Sequence, residues 1–205
     1  MNVLKTAIIG IAIAGAGYFI YTLLANSGKP GMKEAVFDKN DMQQVMARTN
    51  TTAIRFYAAR KFKTDLDGTA IVIGTEAGGK DLYVKNTSPY VISMGVVGGG
   101  TDTRNLDEAQ ALQDLSWIKQ VGDLMFATNF SLVDLNKLLN HTGSNGIKLV
   151  TEGPNTNGDY TMTAYAVKIE GGNANVIVGS PMFTCPQPCP VVCGTHQEYY
   201  LNKRL

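Results

Sequence analysis

Residues that do chemistry are scarce in this chain. It has two histidines, three cysteines and one tryptophan among 205 residues. His196 lies beside the cysteines and His141 ends a helical stretch, so neither joins a Ser/His/Asp set, and nucleophilic catalysis has little support. No paired-carboxylate motif can be picked out for general acid–base work. Charged residues make up 17% of the chain and the formal net charge is +1. Without clustered Lys and Arg, a nucleic-acid partner is excluded as the expectation. The one Gly-rich loop, 96–103 (VVGGGTDT), lacks the Lys-Ser/Thr ending of a P-loop and the G-x-G-x-x-G order. It reads as a connector, with phosphate binding as its other use. Asp65, Asp67, Asn155, Asn157 and Asp159 lack EF-hand spacing and read as Asx-rich hairpin turns.

Apolar sequence is abundant in one place. Residues 6–25 (TAIIGIAIAGAGYFIYTLLA) carry no charge. Their length suffices for a helix to cross a bilayer core, which takes about 20 residues. Lys5 precedes the run, 26–31 (NSGKPG) ends it, and Tyr18 and Tyr21 lie where interfacial aromatics are common. Residues 1–27 are therefore expected to form a single transmembrane anchor in a bacterial cell membrane, with the body outside the cytoplasm. The alternative is a signal segment cleaved near Ser27, for which the apolar run is long. Lys5 and the amino terminus oppose Lys29 and Lys33, so the positive-inside count gives little direction. Gly10/Ala14 and Ala12/Ala16 have the small-xxx-small spacing that permits close helix packing. No cysteine lies near this segment to accept a lipoprotein acyl chain.

Beyond a linker at 28–36, the body reads as written twice. Residues 37–57 (FDKNDMQQVMARTNTTAIRFY) align without a gap on 130–150 (FSLVDLNKLLNHTGSNGIKLV). Phe37 falls on Phe130, Asp41 on Asp134, Thr49 on Thr142, Ile54 on Ile147 and Arg55 on Lys148. After one inserted residue, Thr69-Ala70 fall on Thr163-Ala164. Each copy opens with an N-cap type, Asp38 or Ser131, and an acidic residue three positions on, in the manner of a capping box. Phe37 with Met42, and Phe130 with Leu135, have hydrophobic-staple spacing. Apolar residues at 42, 45, 46 and at 135, 138, 139 trace one helical stripe.

Three strands are expected after each helix: 53–57, 69–74 and 81–84, then 147–150, 161–169 and 175–178, joined by turn sequences. Both copies then reach Ser-Pro, at Ser88-Pro89 and Ser180-Pro181. The predicted fold is α+β: a tandem duplication of an α-β-β-β unit with antiparallel sheet, preceded by the anchor. The first unit is expected over 37–92 and the second over 130–182. Between them, 93–129 holds the Gly-rich connector and a helix starting after Asn105, with Leu106, Ala109, Leu112, Leu115 and Ile118 on its buried face and Trp117 near it. One unit of this size buries little core, so two sharing a core gives a physical motive for duplication.

The tail, 183–205, holds Cys185, Cys189, Cys193 and His196. Their C-x3-C-x3-C-x2-H spacing is not a familiar zinc pattern, and the interleaved prolines stiffen the loop. A structural disulfide suits an exported body; unpaired thiols or a zinc or iron–sulfur site are the alternatives. Apart from that alternative, no cofactor is expected. Residues 182–194 are expected to pack back on the body as an irregular, proline-braced cover for an open sheet edge.

The run Ala53-Ile54-Arg55-Phe56-Tyr57, then Ala70-Ile71-Val72-Ile73-Gly74, then Lys80-Asp81-Leu82, resembles a group of small uncharacterised bacterial proteins. In these, a GIRIY-like strand, an LVLVG-like strand and an N/K-D-L segment lead to a PCPxxC-like tail, to which Pro188-Cys189-Pro190-Val191-Val192-Cys193 is similar. The resemblance implies no activity. Together these features lead to the expectation of a membrane-anchored, non-enzymatic binding or assembly module whose partner is another protein or itself. A metal-binding or redox protein using the tail is the alternative.

Overall fold

A computed structural model describes residues 31–60, 62, 64, 67–82, 90–93, 104–106, 111, 113, 116, 127–153 and 160–185, with 90–93 and 104–106 described as backbone. In chain order the elements are β1 (Glu34–Asp38), α1 (Lys39–Met46), β2 (Ala53–Ala59), β3 (Thr69–Thr75), β4 (Tyr90–Ser93) and β5 (Arg104–Leu106). They continue with β6 (Ala127–Ser131), α2 (Leu132–Leu139), β7 (Gly146–Glu152), β8 (Thr161–Glu170), β9 (Asn173–Val176) and β10 (Met182–Cys185). The strands form two five-stranded sheets. Sheet one runs β5-β4-β3-β2-β6; sheet two runs β1-β7-β8-β10, with β9 also on β8. Every pairing is antiparallel, so the α+β class with antiparallel sheet is as expected.

The sheets are built by exchange. β1 precedes α1 but pairs with β7, in the other half of the chain, through Phe37↔Ile147 and Asp38↔Gly146. β6 precedes α2 but pairs with β2, through Phe130↔Ile54 and Ser131↔Ala53. The two ladders match residue for residue at the offset that aligns Phe37 with Phe130. Gly146 has to be glycine for its ladder, because a Cβ there would lie 2.7 Å from the Phe37 carbonyl oxygen. The ends of the helices interlock as well. The Lys39 backbone N–H donates to the Asn145 carbonyl at 2.9 Å, and its ammonium donates to the Leu139 carbonyl at the end of α2 at 2.7 Å. A cation is favourable at that helix end.

One core lies between the sheets. Ala35 and Phe37 of β1, Ile54, Phe56 and Ala58 of β2, and Ala70 and Val72 of β3 meet Ile147 and Leu149 of β7 and Met162, Ala164 and Ala166 of β8. These positions alternate along each strand, as the two-residue side-chain period requires. Phe56 is the hinge of this packing. Its ring centroid is 5.2 Å from Phe37 on one exchanged strand and 5.8 Å from Phe130 on the other. Both rings sit at the tilted or edge-on angles that aromatic pairs prefer. Met42 and Val45 of α1, and Leu135, Leu138 and Leu139 of α2, complete the core. Both helices start where the sequence places them. The Asp38 carboxylate accepts from the Asn40 N–H at 2.7 Å and the Ser131 hydroxyl from the Asp134 N–H at 3.0 Å. The Asp134 carboxylate turns to the Ser131 hydroxyl at 2.8 Å rather than completing the box through the backbone.

Four sequence expectations need correction. First, each half is β-α-β-β rather than α-β-β-β, because β1 and β6 precede the helices; β1 begins inside the expected linker. Second, Thr69 faces Ala59 while Thr161 faces Glu152, so Thr69 corresponds to Thr161 and not Thr163. The sequence alignment was slipped by an even number of residues, which leaves every side chain on its expected face. Third, Asn105 and Leu106 do not open a helix: they lie in β5, opposite Val91 and Tyr90. Ala111, Gln113 and Ser116 do have helical backbone, and Ala111 is buried. Of the expected helix face, Ala109, Leu112, Leu115 and Ile118 lie outside the described residues. Fourth, the strand expected at 175–178 sits at Asn173–Val176; of the strand expected at 81–84, Asp81 bridges Thr75 and 83–84 lie outside the described residues.

The tail begins as regular structure. β9 and β10 lie end to end on the same side of β8, interrupted by the excursion 178–181 that contains Ser180-Pro181. β10 pairs Phe183 with Ala164, as β4 pairs Val91 with Val72 at the equivalent place in sheet one. Residues 182–185 therefore form a regular strand on β8, the outermost on that side among the described residues, and not an irregular cover. Residues 186–205 lie outside the described residues.

Because each half holds the other's first strand, the halves should survive loss of their covalent link. A protease site inserted between 106 and 127 and cut in the folded protein should leave two fragments that co-elute until denaturant is added. Separation under native conditions would refute the exchange.

Candidate functional site

Polar side chains concentrate at one place, on the face of sheet one that points away from the shared core. Arg55 and Tyr57 share this face because they alternate with Ile54, Phe56 and Ala58 along β2. β6 brings Asn129 directly opposite Arg55. The tight turn at 76–80, closed by the Glu76 N–H on the Lys80 carbonyl and the Gly79 N–H on the Glu76 carbonyl, returns Asp81 to the edge of β3.

Among the described residues the Arg55 guanidinium meets Asn129, Asp81 and Gly79. Nε donates to the Asn129 amide oxygen at 2.9 Å, one terminal nitrogen to Asp81 Oδ1 at 2.6 Å, and the other to the Gly79 carbonyl at 2.6 Å. The Tyr57 hydroxyl donates a short hydrogen bond to the other Asp81 oxygen. The arginine and aspartate side chains are 1% and 0% exposed. Burial pushes the Tyr57 hydroxyl well above its usual titration range, and the Asp81 charge pushes it further in the same direction. A phenol so placed keeps its proton and serves as a donor to Asp81. Such a cluster clamps the 76–82 segment onto β2 and β6; with its groups turned on each other and away from solvent, it does not present a base or nucleophile to a substrate.

The second half lacks this clamp. Lys148 stands where Arg55 does, opposite Val36 where Arg55 has Asn129, and Val150 stands in place of Tyr57. Val176 occupies the Asp81 position, paired with Val167 as Asp81 is with Thr75. Lys148 turns to Glu34 instead, at 2.7 Å and partly exposed. Further along that face the Tyr165 hydroxyl donates to Glu152 at 3.0 Å, and the Thr163 and Thr184 hydroxyls bond at 2.9 Å. Burial and the Glu152 carboxylate raise the Tyr165 hydroxyl above its usual range.

Of the residues singled out from sequence, Cys185 lies in β10, half-buried and packed against the core beside Met162. Cys189, Cys193 and His196 lie outside the described residues, as do the anchor run 6–25 and the loop 96–103. Among the described residues no group of His, Cys, Asp and Glu is arranged to hold a metal ion. Asp67 is in the expected turn and pairs with Lys33 at 2.6 Å; Asp65, Asn155, Asn157 and Asp159 lie outside the described residues. His141 follows the end of α2, its N–H donating to the Leu138 carbonyl at 3.2 Å. The Arg55 cluster was missed as a unit, although its parts were in view. Arg55 is the only charged residue in the strand AIRFYAA, and a charge in an apolar strand demands a partner. A scan of protein-family models, a search of curated proteins and a search of solved structures each find nothing that matches this chain.

Two outcomes follow. Asp81→Ala strands a buried guanidinium and should cost about 3–5 kcal/mol in denaturant unfolding, whereas Lys148→Ala should cost no more than about 1 kcal/mol. Equal costs would refute the clamp. The folded-state pKa of Tyr57 lies above its unfolded value, so its contribution is complete below about pH 10 and is lost as pH rises beyond that through the folded value. Unfolding midpoints measured from neutral to strongly alkaline pH should fall more steeply for the parent chain than for Tyr57→Phe.

Proposed function

We propose that this chain is a membrane-anchored, non-enzymatic binding or assembly module, with a body made by tandem duplication and held outside the cytoplasm. The apolar run 6–25 supplies the anchor, of a length that spans a bilayer. The matched exchange ladders support the duplication: paired positions in one half predict those in the other at a single offset. One observation carries the preference for binding over catalysis. Among the described residues the densest polar cluster is spent on holding the fold, while apolar side chains stand in solvent on β9, β10 and the excursion between them: Val176 at 44%, Val178 at 98% and Met182 at 62% exposure. Exposed apolar surface of this kind marks an interaction site more often than a reaction site. The alternative use of Cys185, Cys189, Cys193 and His196 for metal or redox chemistry gains no support from the described residues. No helix among them is long and apolar enough to cross a membrane, and the proposed anchor lies outside them.

Fractionation of cells expressing a carboxy-terminally tagged chain tests the anchor. The full-length protein should pellet with membranes, resist alkaline carbonate and require detergent for release. A chain soluble without detergent at full mass would overturn the anchored reading.

A further inference from the structure

The chain enters its body at one end of the two sheets. Met32 is fully buried in the core. Lys33 then bridges the sheets: its backbone N–H donates to the Asp67 carbonyl at 2.8 Å, and its carbonyl accepts from the Thr151 N–H at 2.8 Å. Gly31 passes so close to Gly68 that a Cβ there would lie 2.0 Å from the Gly31 carbonyl oxygen. Asp67 and Gly68 precede Thr69, which faces Ala59 where β2 passes to β3. Thr151 adjoins Glu152, which faces Thr161 where β7 passes to β8. Lys33 is thus fixed at the end where both connections are made. Thr75, with the turn at 76–80, and Gly146 lie at the other end.

We propose that the end carrying Lys33 and Phe62 rests on the headgroup layer of the bilayer that holds the anchor. This rests on the anchored reading above and adds the surface that meets lipid. Length decides the orientation. Five residues, 26–30 (NSGKP), join the apolar run to Gly31, and a chain of that length spans at most about 18 Å. The headgroup layer takes about 5–8 Å of this reach. β2 and β3 have seven residues each, so at roughly 3.3 Å per residue the far end stands about 23 Å from the entry point. The tether is too short to raise the entry point by the length of a strand. The far end therefore does not reach the bilayer while the entry end points away from it.

The side chains at the entry end suit a headgroup layer. Phe62 is 59% exposed, and the Lys33 side chain is 67% exposed while paired with Asp67 at 2.6 Å. In sequence, Arg60, Lys61 and Lys63 surround Phe62, and 26–33 holds Lys29 and Lys33 with no acidic residue. An aromatic ring among cations is the composition of a membrane interface, where the ring sits at headgroup level and the cations meet lipid phosphate.

The test uses the full-length chain in vesicles of phosphatidylcholine and phosphatidylglycerol in equal parts. A photo-cross-linking phenylalanine analogue replaces Phe62 in one preparation and Ala77, exposed in the 76–80 turn, in another. Flotation after an alkaline carbonate wash isolates anchored chain, and mass spectrometry after irradiation counts lipid adducts. The Phe62 probe should give about fivefold more adduct than the Ala77 probe, or better. With the probe moved to Thr64, which is exposed, Phe62→Asp should cut the yield about fivefold and Phe62→Tyr should keep it. A carboxylate is repelled by lipid phosphate, whereas a phenol suits the interface. Floated chain that labels equally from Phe62 and Ala77, mainly from Ala77, or from neither would overturn the docking, as would an unchanged yield in Phe62→Asp. A chain that does not float overturns the anchored reading and this inference with it; floated chain without the Phe62 adduct overturns this inference alone.

Discussion

β1 and β6 each pair with the sheet of the opposite half, and the rest of the body is arranged around that exchange. It places Phe37 and Phe130, equivalent residues of the two halves, on either side of Phe56. It gives each helix the task of crossing between sheets, so that Met42 and Val45 from one and Leu135, Leu138 and Leu139 from the other enter a common core. A unit of this size alone would bury too little apolar surface and leave a strand without its partner. Two units exchanging strands remove both problems. The cost is that neither half has a complete sheet of its own.

The difference between the halves follows from how much each sheet is covered. β3 is buried at all seven positions, on both faces. A charge on that hidden face survives only inside a network, and Arg55, Asp81, Tyr57 and Asn129 form one. The corresponding face of sheet two is partly wet, so Lys148 needs only Glu34 and a half-exposed pair. Further along sheet two, the Met182 side chain on β10 also stands largely in solvent.

The elements legible in the sequence were those with local signals. The N-caps Asp38 and Ser131, the stripes of α1 and α2, and the hairpins β2–β3 and β7–β8 carry their information within a few residues. β1 and β6 carried none, because a five-residue strand whose partner lies in the other half has no turn to announce it. The register of β3 against β8 was misread because an even slip preserves the apolar face. The Arg55 clamp was half legible. An arginine in AIRFYAA signals a buried partner, but only the folded turn at 76–80 says that the partner is Asp81. β10 was hidden for a different reason: the Cys/Pro composition that follows drew the boundary too early, and the second Ser-Pro was read as an end rather than as part of an excursion between β9 and β10.

Native-state hydrogen exchange tests the exchanged architecture most directly. If the two halves share one core through β1–β7 and β2–β6, the slowest amides of β1, β2, β6 and β7 should exchange together, with one free energy equal to that of global unfolding. Progressive denaturant should not separate them. If β1 and β6 lose protection well before β2 and β7, or if the halves exchange with two distinct free energies, the strands are accessory and the account of a single interlocked body is wrong.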